Sequence, residues 1–148
     1  MRALALTAGV GSALVGGVFF AFSAFVLPAL TRLPDGGGAG AMRSINVLAV
    51  RPPLMVALLG TAAACTATGV LALRRGDGWV AAGSATYLVG VVLVTAAANV
   101  PLNDRLADHA IDLPDYARAW GRWNHVRTAD GVAAAALLLG AHAVDRSP

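Results

Sequence analysis

Lysine and glutamate are missing altogether: all eleven basic residues are Arg and all eight acidic ones are Asp. With so much Ala and Gly, this reads as the codon bias of a GC-rich genome, and no function attaches to it. Charge of either sign is scarce, 13% of the chain against roughly 25% in soluble domains, while apolar residues reach 57%. That balance excludes an ordinary soluble enzyme and points to a membrane protein. A net charge of +3 does not imply nucleic acid, because the Arg residues stand at the ends of apolar runs, where they anchor helices to headgroups. A single cysteine, Cys65, excludes an intrachain disulfide and, inside an apolar run, reads as a small buried hydrophobe. There is no P-loop, dinucleotide fingerprint, GxSxG, CxxCH, HExxH or CxxC.

What the chain does have is apolar length. Helices are expected near 3–30, 53–74, 79–100 and 114–144, each of a size to cross a ~30 Å hydrocarbon core. The first run is too long for a signal peptide. Trp79 anchors the third run, and the fourth helix, opening at Pro114 after Asp112, is long enough to project from the membrane. The 148 residues therefore form one domain: an all-α, four-helix transmembrane bundle of up-down topology, multi-pass in a bacterial cytoplasmic membrane. Small residues four apart, Ser12 with Gly16 and Ala13 with Gly17, allow another helix to approach closely, in this chain or in a second copy as a homo-oligomer. Between the first two runs, Met42, Ile45 and Leu48 or Ala49 recur at helical spacing, so a short amphipathic helix is expected at the interface. Pro52-Pro53 suits the opening of the second span.

Even-numbered spans place the two longer loops, 31–51 and 101–127, on one membrane face. Phe22, Ser23, Thr95, Asn99 and the Trp120–Arg127 segment lie at that end. The opposite end has only the termini and a tight turn at Arg74–Gly78. Counts of Arg leave open which face is cytoplasmic.

Polar groups within a membrane call for a partner or a function. On a helical wheel Tyr116, Trp120, Trp123, Asn124, Arg127 and Gly131 share one face, with His125 well off it. Asp130, three residues beyond Arg127, is placed to pair with it. In the third span Thr95, Asn99 and Asn103 are spaced by four. Pro101, which clashes with the carbonyl of Ala97, is expected to kink or end that helix. Asn99 is then a candidate either to satisfy freed backbone groups or to orient a ligand. Asp104, Asp108 and Asp112 would share a face if their stretch is helical. With His109 and His125 they are candidate metal ligands without a recognisable pattern, and no metal site is assigned.

The segments GVFFAFSAFVLPAL, AMRSINVLAV, NVPLND and WGRWNHVRT, in this order and spacing, resemble the anthrone-oxygenase-like family of small four-helix membrane proteins. The resemblance covers nearly the whole chain, and NVPLN with WNxxR is its most specific pair. It implies oxidation of a hydrophobic, anthrone-type aromatic with O2 as co-substrate and no flavin or haem, with metal assistance left open. The site it implies is Asn46, Asn99, Asn103, Trp120, Trp123, Asn124 and Arg127, with His125 beside them. Asp130 departs from the small or apolar residue expected there. Such chemistry asks for a base, for which His125 and Asp104 are the candidates, for oxyanion donors (Asn99, Asn124 and Arg127), and for an aromatic wall of Trp120, Trp123 and the Phe residues Phe19, Phe20, Phe22 and Phe25. The expected partners are the lipid bilayer and a hydrophobic small molecule. The alternatives are a non-enzymatic binding or interaction protein and, third, a small transporter with an intramembrane Arg–Asp pair.

Overall fold

The computed structural model describes residues 1–144, and every regular element among them is helical. Five helices follow one another: α1 (Arg2–Leu30), α2 (Gly37–Ala49), α3 (Leu54–Arg75), α4 (Gly78–Ala107) and α5 (Leu113–Val144). Three of them, α1, α3 and α4, are long and apolar enough to cross a membrane. The longest, α5, carries Arg127 and Asp130 within its length. In packing, α1 lies against α3 and α5, and α4 lies against the same two helices.

The turns are set by local chemistry. Gly76, with φ 71°, takes the left-handed position that ends α3, and the Asp77 side chain accepts from the Val80 N–H at 3.1 Å to open α4. At the other end α4 stops at Ala107, where His109 adopts φ 56°. The Asp112 carboxylate then accepts from the Asp115 N–H at 2.9 Å and caps α5. The stretch holding Asp104, Asp108 and Asp112 is thus broken by a turn. The three carboxylates do not share a helical face, because the third is used as a cap. Among the described residues no three His, Cys or Asp side chains come close enough to hold a metal ion.

Proline neither ends α4 nor α1. The helix runs through Pro101 because the turn before it, Thr95–Asn99, is π-helical, and Phe22–Val26 does the same ahead of Pro28. Widening the turn relieves the clash of the proline ring with the carbonyl four residues back. Phe22, Ser23, Thr95 and Asn99 all sit in these widened turns.

Two side-chain clusters fill the bundle. One is largely aliphatic, with Ala8, Val15, Leu58, Cys65, Val91 and Leu138. At its edge α1 and α5 touch backbone to backbone: a Cβ on Gly131 would lie 2.9 Å from Gly16 Cα. Of the small residues expected to allow close approach, Ser12 and Gly16 are buried inside the chain, whereas Ala13 and Gly17 are exposed. The other cluster, Leu27, Leu30, Met42, Leu106, Tyr116 and Trp120, closes the end that carries both longer connections. The expected short helix is α2. Its inner face, Met42, Ile45, Asn46 and Ala49, covers that end, with Met42 fully buried.

Candidate functional site

Arg127 is 4% exposed and has no carboxylate beside it among the described residues, where the one ion pair joins Arg118 to Asp115 at the surface. The expected Arg127–Asp130 pair does not form. Long side chains on a helix lean toward its N-terminus, so the guanidinium runs back along α5, away from Asp130. It donates through Nη2 to Asn124 Oδ1 at 2.7 Å and through Nη1 to Thr95 Oγ1 at 3.3 Å. Its Cζ lies 4.1 Å from the centroid of Phe19 and 4.9 Å from that of Trp120, a cation–π arrangement strengthened by desolvation. Asp130 instead rests over Gly90 of α4, in the room left by the missing side chain.

Three amides tie together the helices around this guanidinium, and one of them, Asn124, bonds it directly. Fully buried Asn124 uses its other end to donate to the Phe19 carbonyl at 2.7 Å and to Ser23 Oγ at 2.8 Å, tying α5 to the widened turn of α1. Asn99 donates to the Trp120 carbonyl at 3.3 Å and ties α4 to α5, so its amide serves the neighbouring helix and not its own freed backbone. On Asn103, Oδ1 accepts from the Tyr116 hydroxyl at 2.8 Å. Trp120 packs between Tyr116 and Phe22, with centroids 6.0 and 5.7 Å away.

In front of Arg127 lies a cavity of about 110 Å³, walled by α1, α2, α3, α4 and α5. Asn46, Asn103, Thr95, Trp120, Phe22 and Arg127 line it on the polar side, and Ile45, Val50, Leu54, Met55 and Leu58 among others on the apolar side. Three buried donors on lining residues have no partner: Asn46 Nδ2, Trp120 Nε1 and Arg127 Nε. A buried donor without an acceptor costs about 1–3 kcal/mol, so the cavity is arranged for something that accepts.

A family model for anthrone oxygenase matches residues 49–137. The chain belongs to the anthrone oxygenase family. No curated protein and no solved structure matches it. Within this anthrone oxygenase family member, the matched stretch carries Asn99, Asn103, Trp120, Asn124 and Arg127, while Phe19, Phe22 and Asn46 come from helices almost wholly outside it.

Of the residues expected at the site, Arg127, Asn46, Asn103, Trp120 and Phe22 line the cavity. Asn99 and Asn124 stand behind it as braces. Trp123, 45% exposed, falls at the edge of the buried stripe and points away. Asp104 and His125 are also exposed and line no part of the cavity: His125 lies off the buried face of α5, and Asp104 follows Asn103 around α4 to the solvent side. Of the four Phe residues in the second half of α1, Phe19 and Phe22 line the cavity, whereas Phe20 and Phe25 are exposed.

Proposed function

We propose that the protein is a four-span, up-down membrane enzyme that oxidises a hydrophobic aromatic ketone of the anthrone type with O2. The reaction would take place at the end of the bundle covered by α2. The observation that carries this reading is the set of partnerless donors around Arg127, a buried guanidinium with aromatic faces and amides for company and no carboxylate opposite. Such a set suits an oxygen that becomes negative only during reaction. Removing a proton from the acidic C–H beside an aromatic carbonyl moves charge onto that carbonyl oxygen. Asn46 Nδ2, Trp120 Nε1 and Arg127 Nε would receive it, and each donor aimed at developing charge is worth a factor of ~10²–10³. The carbanion then passes an electron to O2. Overall a CH2 group and O2 give C=O and water, and O2 accepts all four electrons that the carbon loses. Since no carboxylate or imidazole among the described residues lines the cavity, the proton is assigned to water, and the protein's part is to lower the cost of losing it.

That same lack of an acid–base side chain favours a second reading, a binding protein for oxygen-bearing aromatics that performs no reaction. O2 uptake by the purified protein, screened against anthrones and phenolic ketones with Trp fluorescence followed in parallel, separates the two. Uptake that needs Arg127 and survives a chelator supports the enzyme. Saturable quenching without uptake supports the binder, and neither signal would sink both.

A further inference from the structure

Sixteen side chains line the cavity, and only two of them are exposed: Val50, 67%, and Val100, 43%. They form its rim, and both are apolar. The surface around Val50 continues in the same character. Val47 and Leu48 on the outer side of α2, and Val56 and Leu59 on α3, are all exposed, and α3 is one of the helices able to cross a membrane. Arg43 and the exposed Arg51 flank this patch on α2 and just beyond it, where a headgroup phosphate would meet them. The opposite connection is different: all its charged residues and its histidine, Asp104, Arg105, Asp108, His109 and Asp112, are exposed, a surface for water.

We infer that the cavity opens to the acyl layer of the bilayer between Val50 and Val100, and that its ligand is a membrane-dissolved lipophile which enters sideways, oxygen end leading, without passing through water. The inference rests on reading the cavity as a ligand site and adds where the ligand comes from. An apolar cavity of roughly 150 Å³ takes up benzene, and this one is about 110 Å³. A ring must therefore displace part of the rim as it enters, and α2 is the element best placed to move. It is joined to α1 through residues 31–36, where Asp35 and Gly36 have positive φ, and its C-terminal half carries apolar residues on both faces. An outward shift of such a helix keeps the apolar Val47 and Leu48 in lipid.

Cys65 is buried, so an introduced thiol can be followed on the full chain in proteoliposomes. In a Cys65→Ala background, Ile45→Cys places a thiol on the cavity wall. Butyl methanethiosulfonate, which partitions into bilayers, should modify it, and the charged sulfonatoethyl reagent should not. Adding Val50→Trp or Val100→Trp at the rim should slow the butyl reaction about tenfold or more, as a barrier raised by about 1.4 kcal/mol would, while helicity and elution volume stay unchanged. Modification by the charged reagent at a comparable rate would mean an aqueous entrance. No butyl reaction, or a rate indifferent to both Trp substitutions, would place the opening elsewhere. None of these outcomes depends on turnover, so the route can fail while the oxidation reading stands, and the reverse.

Discussion

At Gly16 and Gly131 the backbones of α1 and α5 are in contact, with no space for a single added carbon. One turn along the same pair of helices, Phe19 and Arg127 hold the elements apart, and a cavity with partnerless donors opens beside them. The first region gains from dispersion between small residues fitted closely. The second leaves hydrogen-bonding capacity unused and is costly by itself. Their adjacency shows how the costly one is tolerated. The tight glycine contact fixes the height and rotation of α5 against α1, and Asn124 extends that fixed geometry to Arg127 through the Phe19 carbonyl and Ser23. A site whose donors must stay in place without a ligand needs such support.

The strongest way to break this comparison is to fill the contact. Gly131→Val should force α1 and α5 apart and cost about 3 kcal/mol, the upper end of overpacking, seen as early thermal unfolding in detergent. An unchanged melting point would show that the glycine pair does not position the site. Next in size, Arg127→Lys should leave the melting point within the change expected for about 1 kcal/mol but lower turnover, or ligand affinity for a binder, about 100-fold, because an ammonium lacks the planar fork. Loss of folded protein in step with activity would make Arg127 a structural residue and end the contrast between the two regions. Tyr116→Phe removes only the hydroxyl that donates to Asn103. It should cost about 1 kcal/mol and raise KM more than it lowers kcat, since the Asn103 amide is freed on the cavity wall. The smallest effect belongs outside both regions: Arg118→Ala breaks the exposed pair with Asp115 and should shift stability by no more than about 0.5 kcal/mol.

Much of the architecture was legible in the residues. Four helical runs, the short helix between the first two and the start of the last near Pro114 follow from apolar length and periodicity, which act within a few residues of one another. The expected meeting of Arg127, Asn99 and Asn103 in one cavity beneath residues 31–51 holds for Arg127 and Asn103, while Asn99 stands behind the cavity as a brace. Pro101 misled in part: its local effect was read as a kink or a stop, yet packing against α5 carries α4 on through a widened turn to Ala107.

The sequence by itself determined the all-helical class, the concentration of polar chemistry in the second half of the chain and the family. Only the tertiary structure decided which polar residues face a cavity. A helical wheel assigns Trp123 and Trp120 to one stripe, but the neighbouring helices cover just part of it, and Trp123 is left outside. The same packing leaves Asp104 and His125 exposed, gives Arg127 two aromatic faces in place of Asp130, and makes braces of Asn99 and Asn124. These outcomes turn on distances of one side chain between helices remote in sequence, and periodicity along a single helix carries no information about them.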